Sequence, residues 1–286
     1  MTARIVILTN GNYFARIILS KALEKYHQSV VSIVVVTGDY KGRTGFKSLK
    51  EIFKETTFPY FFYKAFQGGI FLIAGKIFPS KIFDVEKLAR QYGIPVMRCA
   101  SVKEDCIINY VAEQSPDLIL SVSCPQLIGK KILSKARLGG INIHSSLLPR
   151  FAGLAPYFWV LSNNQEITGT TVHYMTQRFD EGNILVQKHL TVEPGESAFN
   201  LFKSLAFEGC NAMEEAVPLA LSGYQGIKQN LENYSYFSHP TDEAYKSLRK
   251  NGFVLFRLKE IFATIVDEVK AKSITTSPNL YVGHRN

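Results

Sequence analysis

Short apolar runs alternate with helix-like patterns over the first two hundred residues of the chain. Residues 4–8 and 29–37 are apolar and rich in β-branched side chains, and turn residues follow each of them. Such runs are typical of strands buried on both faces of a parallel sheet. The same reasoning predicts strands over 95–99, 117–122, 140–143, 167–175 and 184–190, and helices over 14–26, 84–92, 100–114, 157–163 and 198–222. The alternation favours an α/β fold with a mostly parallel sheet and helices on both faces.

Residues 40–83 interrupt this alternation. Residues 46–55 have an amphipathic pattern, and residues 58–78 are aromatic and aliphatic over about the length that could cross a bilayer. A proline, two lysines and the Gly68-Gly69 pair within that segment argue against a stable membrane span. We predict a helical insertion over about 40–83 whose apolar face packs on the domain or on a second subunit, so a homodimer is compatible with the sequence. A lid over a substrate and an element that touches a membrane are the alternatives.

Composition narrows the class of protein. The 286 residues are enough for one large domain and a smaller appended one. The four cysteines have no C-x-x-C pair or regular spacing, which argues against a disulfide framework and a zinc site and fits a reducing, cytoplasmic location. A strand pattern from residue 4 leaves no room for a signal peptide before it. The net charge of +9 suits a polyanion such as RNA or an anionic small substrate equally well.

A polar motif ends the predicted strand 140–143. Asn142 and His144 are two residues apart, so they share one face of the strand. An amide and an imidazole together offer hydrogen-bond donors and a titratable group, which a carbonyl under nucleophilic attack requires. The strand 117–122 ends at the same edge of the sheet, where α/β folds bind their ligands. The alternative is that Asn142 is a turn residue and His144 a satisfied interior histidine.

Two loops at strand ends are candidate parts of the site. Asp180 lies in the loop 176–182, which Gly182 closes, and an aspartate there is equally explained by a hydrogen bond from its carboxylate to the backbone of its own turn. The loop 9–12 follows the first strand but lacks the glycine spacing of a dinucleotide site, so we do not predict one.

Taken together, these residues resemble a known family. The string Asn142-x-His144-x-Ser146-Leu147-Leu148-Pro149, then Gly153 and Pro156, and later Asp180 before Gly182, resembles the folate-dependent formyltransferases. That family includes glycinamide ribonucleotide, methionyl-tRNA and sugar N-formyltransferases. The resemblance covers residues 1–205, is strongest from 118 to 187 and is weak across the insertion. It implies a Rossmann-like catalytic domain over 1–205, with 206–286 forming a C-terminal helix and a short extension.

The resemblance also implies roles for individual residues. Asn142, His144 and Asp180 would be catalytic, with N10-formyltetrahydrofolate as formyl donor and no metal. Asn142 and a protonated His144 would donate hydrogen bonds to the formyl oxygen, while Asp180 would hold the imidazolium and take the proton released by the amine. The folate would lie against Ser123, Cys124, Pro125, Gln126, Leu127, Ile128, Gln177, Arg178, Phe179 and Gly182. The acceptor would contact Ser146, Leu147, Pro149 and Gly153. The chemistry requires no nucleophile, so none is expected at Cys124.

The identity of the acceptor amine is the least determined part. The loop 150–153 carries one arginine, and the segment after residue 222 does not resemble a tRNA-binding domain. Lys246, Arg249 and Lys250 on a predicted helix over 242–251 are typical of solvated surface. We therefore favour a nucleotide-linked amino sugar or a similar small anionic amine over methionyl-tRNA. Further alternatives are a formyltetrahydrofolate hydrolase, which usually has an amino-terminal regulatory domain not seen before residue 4, and an inactive folate-binding homologue.

Overall fold

The computed structural model describes residues 2–39, 41–78 and 84–275. The strands are β1 Ile5–Thr9, β2 Val30–Val36, β3 Val96–Cys99, β4 Leu118–Val122, β5 Gly140–His144, β6 Ala152–Gly153, β7 Ile167–Tyr174, β8 Ile184–Thr191 and β9 Tyr236–Phe237. The helices are α1 Tyr13–Tyr26, α2 Gly45–Glu55, α3 Phe58–Ile77, α4 Val85–Arg90, α5 Asp105–Glu113, α6 Lys130–Leu133, α7 Pro156–Ser162, α8 Ala198–Leu221, α9 Asp242–Lys250 and α10 Leu258–Thr275.

Seven strands form one sheet in the order β3–β2–β1–β4–β5–β7–β8. The first five of these run parallel, β7 is antiparallel to β5, and β8 is antiparallel to β7. Alternate residues of β1 face opposite sides: Ile5 and Ile7 pack in the core that includes α1 and α8, whereas Val6 and Leu8 pack with α5 and α6. The predicted mostly parallel sheet with helices on both faces is thereby confirmed.

The insertion consists of the helices α2 and α3, which lie over residues predicted to be helical. Thr57 caps the N-terminus of α3, because its hydroxyl accepts a hydrogen bond from the Tyr60 N–H at 3.2 Å. One face of α3 packs on the domain, where Tyr63 and Phe71 are buried and the Phe71 ring stacks on Tyr13 at 4.2 Å. Residues 40 and 79–83 of the predicted insertion lie outside the described residues. Within the described part of the chain, no helix combines the length and apolar character that a membrane span requires.

The segment after residue 205 packs on the same core as the sheet. The proposed boundary at 205 falls inside α8, and Ile261 and Ile265 of α10 are buried among residues of the main core. Strand β9 pairs with β6, which brings the chain back beside the loop after β5. The extension is therefore in position to contribute to a site at that edge of the sheet.

The predicted helix over 100–114 begins only at Asp105. The Gln126 side chain explains the delay, because its Nε2 donates to the carbonyls of Asp39 and Ala100 at 2.9 and 2.8 Å and its Oε1 accepts the Val102 N–H at 3.0 Å. Side-chain bonds to the backbone compete with helical ones. Sequence reasoning could not anticipate them, because Gln126 lies on a different segment.

Candidate active site

A cavity of about 480 Å³ opens where β4 and β5 end. The residues that line it include Asn142, His144 and Asp180, the segment from Ser123 to Ile128, Gly153, Arg178 and Phe179. Sites for small molecules commonly have volumes of about 300–1,000 Å³ and occur at this edge of parallel sheets. The structure thus brings the three proposed catalytic residues and most of the predicted folate contacts to one cavity.

Hydrogen bonding fixes the orientation of His144. Its Nε2 lies 2.9 Å from the carbonyl oxygen of Phe151, which also accepts a hydrogen bond from the Ser146 hydroxyl at 3.1 Å. Because a carbonyl only accepts, Nε2 must carry a proton. The other ring nitrogen, Nδ1, lies 3.7 Å from Oδ2 of Asp180. Nδ1 is therefore the ring nitrogen left to exchange a proton, and it faces the carboxylate of Asp180.

Asp180 lies in the loop after β7. Its Oδ2 accepts a hydrogen bond from the Gly153 N–H at 2.8 Å, and the φ of Asp180, +56°, lies in the left-handed region that aspartate tolerates better than most residues. Gln229 donates to the carbonyls of Asp180 and Gly182 at 2.8 and 2.6 Å. These bonds hold the carboxylate in place from both its side chain and its backbone.

The electrostatics keep Asp180 ionised. Burial alone raises the pKa of its carboxyl, but the charge of His144, the hydrogen bond and charge of His173 and the Gly153 N–H outweigh burial and hold the pKa well below its usual range. The site therefore holds an ionised carboxylate between two imidazole rings.

His173 is a member of the site that the sequence reasoning did not assign. It lies opposite Asn142 in the β5–β7 register, and its Nε2 is 3.3 Å from the Asn142 amide nitrogen and 3.4 Å from Oδ1 of Asp180. Its Nδ1 donates to the Tyr174 carbonyl at 2.9 Å. A neutral His173 therefore accepts from the Asn142 amide, whereas a protonated one donates to Asp180. The only sequence signal was its place in a β-branched strand. Its role depends on the pairing of β7 with β5, which a local pattern does not reveal.

The segment Ser123–Ile128, which the resemblance assigns to the folate, forms one wall of the cavity. Ser123 has a positive φ of +54°, which turns the chain sharply after β4. The polar atoms of Gln126 are bonded within the protein, so it contributes shape to this wall. Burial raises the pKa of the Cys124 thiol to about 12, which keeps it in the un-ionised, weakly nucleophilic form.

Five predicted contact residues do not line the cavity: Ser146, Leu147, Pro149, Gln177 and Gly182. Ser146 is fully buried, and its hydroxyl holds the loop through the carbonyls of residues 150 and 151. Leu147 packs beside β7, the Pro149 carbonyl accepts the N–H of residue 235, and Gln177 is exposed. A Cβ on Gly182 would lie 1.8 Å from a backbone oxygen, so this glycine allows the two strands to approach. These residues shape the loops that carry the site.

Other segments complete the walls of the cavity. Asn10 and Asn12 follow β1, Tyr60 and Lys64 come from α3, and His239 follows β9. Lys64 Nζ donates to the Gln67 side chain at 3.2 Å, and burial lowers the pKa of its ammonium to about 8. The insertion and the C-terminal extension thus contribute directly to the candidate site.

The chain matches a known protein family. The family model described as formyl transferase matches residues 3–217, so the resemblance based on residues 142–182 is confirmed. The methionyl-tRNA formyltransferase of Bacillus cytotoxicus is 35% identical over 149 residues, which are 52% of this chain and 48% of that protein. That of Bacillus cereus (strain B4264) is 34% identical over the same length and coverage. The chain spans about half the length of the curated relatives it matches.

Solved structures share the fold. A phosphoribosylglycinamide formyltransferase from Anaplasma phagocytophilum aligns with a TM-score of 0.55 at 18% identity, covering 83% of this chain and 99% of that one. An N-formyltransferase from Helicobacter canadensis, in complex with folinic acid and dTDP-3-aminofucose, aligns with a TM-score of 0.54 at 18% identity, covering 83% and 71%. At these identities the likeness shows a common architecture.

Proposed function

This chain belongs to the formyl transferase family, and from that premise we propose that it transfers a formyl group from N10-formyltetrahydrofolate to the primary amine of a small anionic acceptor. The observation that carries the proposal is the meeting of Asn142, His144 and Asp180 at one cavity, with the imidazole and the carboxylate 3.7 Å apart. The wall formed by Ser123–Ile128 fits a folate ring system, because it offers apolar side chains and backbone groups of a sharply turned segment.

The residues of the site suit each stage of this chemistry. As an amine attacks the formyl carbon, negative charge develops on the formyl oxygen, and the Asn142 amide and the Nδ1 proton of His144 are donors that can stabilise it. The amine must lose a proton, and Asp180 is the acceptor at hand, directly or through a water. The departing folate nitrogen must gain one, which His144 supplies. The proton is returned to the pair at the end, so the cycle balances without an external base.

A half-buried lysine supports an anionic acceptor. Lys64 lies in the cavity wall with its ammonium over the rings of Tyr63 and Phe202, and among the described residues no carboxylate offsets its desolvation. A partly desolvated cation without a carboxylate partner would be stabilised by an anionic group of the acceptor beside it. A nucleotide-linked amino sugar and an amine that carries a phosphate both meet this requirement.

Methionyl-tRNA is the second candidate acceptor. The observation in its favour is that the curated relatives at 34–35% identity are methionyl-tRNA formyltransferases. The site loop itself offers little for RNA: Arg150 bonds to the Gln165 side chain at 2.6 Å and lies over the Phe151 ring. Because its guanidinium is engaged with neighbouring side chains, we rank this acceptor below the small amine.

Formyl transfer into a panel of acceptors tests the proposal. Purified protein would be incubated with N10-formyltetrahydrofolate and, separately, with amino-sugar nucleotides, glycinamide ribonucleotide, methionyl-tRNA or no acceptor. We expect formylated product from a small anionic amine and little formate without acceptor. Preferential formylation of methionyl-tRNA would replace the acceptor class, acceptor-independent formate release would indicate a hydrolase, and no consumption of the donor under any condition would overturn the proposal.

A further inference from the structure

The helix α2 exposes an apolar stripe. No residue of this helix is buried, and Phe46, Leu49 and Phe53, which share one face at helical spacing, are 80%, 49% and 49% exposed. The opposite side of the helix is anchored, because Ile52 lines the cavity and Glu55 contacts Lys41. Because the anchored residues lie on the other side of the helix, the apolar stripe points away from the domain.

The helix α3 extends this apolar surface. Phe58, Phe62, Leu72, Ile73 and Ile77 are each between 50% and 66% exposed, although the other side of the same helix is buried. We call the exposed apolar side chains of α2 and α3 the insertion face. Scattered exposed apolar residues are ordinary, but a contiguous set of this size on two consecutive helices marks a binding surface.

Cations outnumber carboxylates beside the insertion face. Lys47 and Lys50 are exposed next to the apolar stripe of α2, and Lys54 lies 3.2 Å from Glu51. Glu51 also lies 3.6 Å from Arg43, and Glu55 is 2.9 Å from Lys41, so both carboxylates of this helix are paired with cations. From residue 56 to residue 83 the sequence contains no aspartate or glutamate. The face is therefore apolar and fringed by cations.

We propose that the insertion face binds an anionic lipid surface, with α2 and α3 lying in the plane of the headgroups. Amphipathic segments with aromatic residues on one side and lysines beside them bind membranes in this way. A second copy of the chain is a poorer partner for this face, because it would bring the same excess of lysines, and the carboxylates of its α2 are already paired with cations. Lipid binding of this kind does not depend on the proposed reaction.

The helices that carry the insertion face also form part of the cavity wall. Ile52, Tyr60 and Lys64 belong to these two helices and line the cavity. A chain docked through α2 and α3 therefore holds one wall of its candidate site close to the headgroup layer. An acceptor amine that is presented at a membrane would then be accessible without desorption of the protein.

Vesicle flotation with the full chain tests this proposal. Vesicles of phosphatidylcholine alone would be compared with vesicles containing about a third of phosphatidylglycerol, at low and high salt. We expect binding to the anionic vesicles, at least tenfold weaker binding to the neutral ones, and release by salt, because surface charges are screened. Equal binding to both compositions, or no binding to either, would overturn the proposal.

Matched variants locate the binding surface. Lys47→Glu with Lys50→Glu should weaken binding about thirtyfold or more, since each lysine near an anionic surface contributes about 1 kcal/mol. Lys130→Glu with Lys131→Glu, on the exposed helix α6, makes the same change in net charge and should reduce binding much less. If the two pairs weakened binding equally, the attraction would come from net charge alone and the face would not be the site.

The apolar contribution is tested in the same assay. Phe46→Ser with Ile73→Ser should weaken binding about tenfold or more, because both side chains would lose their contact with the acyl boundary. Phe207→Ser with Ile167→Ser removes side chains that are 49% and 61% exposed elsewhere on the molecule and serves as the control. Circular dichroism would establish that each variant is folded. If the face variants instead abolished a dimer seen by light scattering and left lipid binding unchanged, a second copy would be the partner.

Discussion

Replacing Asp180 with asparagine removes the charge that faces two histidines and nearly preserves the shape of the side chain. Oδ2 lies 3.7 Å from His144 Nδ1, where two unit charges attract by about 4.5 kcal/mol at an effective dielectric constant of about 20 and by about 1 kcal/mol in bulk water. We therefore expect positive charge that develops on His144 during the reaction to lose about 1–4 kcal/mol of stabilisation, which corresponds to a fall of about 5- to 900-fold in formyl transfer.

The assay is single-turnover formyl transfer at saturating folate, together with folate binding by calorimetry. Asp180→Asn should bind folate within a few fold of wild type, because the charge acts on the reacting groups. Asp105→Asn removes an exposed carboxylate in the first turn of α5 and is the control. If folded Asp180→Asn transferred formyl groups within twofold of the wild-type rate, the electrostatic role given to this carboxylate would be refuted.

Three further predictions follow from the same contacts. Lys64→Met should raise KM for an anionic acceptor by about 10- to 100-fold, and Lys64→Arg should bring KM part of the way back. Because burial lowers the pKa of Lys64 to about 8, the KM of the wild-type protein should rise as the pH passes above that value. Gly182→Ala should destabilise the fold by at least about 2 kcal/mol in urea unfolding, because the added Cβ meets Tyr174 O at 1.8 Å, whereas Gly68→Ala, whose Cβ meets nothing within 4 Å, should be neutral or stabilising. Since the pKa of Asp180 is depressed on folding, its contribution to stability is present above about pH 4 and lost as the pH falls further, so wild type should lose more stability than Asp180→Asn in acid unfolding.

Local patterns carried most of the fold. The apolar runs that became β1 and β2 specify buried strands without any long-range information. The spacing of two residues between Asn142 and His144 placed both side chains on the cavity. The helices of the insertion were also predictable, since their apolar spacing is helical. What the pattern could not supply was which face of the insertion meets the domain.

The remainder of the site depends on register and on competition for hydrogen bonds. His173 becomes meaningful only when β7 pairs with β5, and the two-residue strands β6 and β9 have no pattern of their own because they form by pairing over more than eighty residues of sequence. Ser146 was predicted to contact the acceptor, but its hydroxyl is used by the loop that it stabilises. A polar side chain in a motif binds either the substrate or the backbone, and the choice depends on how the loop folds around it.

In the proposed reaction, the imidazole held between the Phe151 carbonyl and the Asp180 carboxylate carries out formyl transfer. The most direct test is formyl transfer from N10-formyltetrahydrofolate by wild type, His144→Ala and the control His189→Ala, which changes an exposed histidine of β8. We predict that His144→Ala loses at least about 100-fold in turnover with folate affinity nearly unchanged, and that His189→Ala behaves as wild type. Near wild-type turnover by a folded His144→Ala protein would contradict the account.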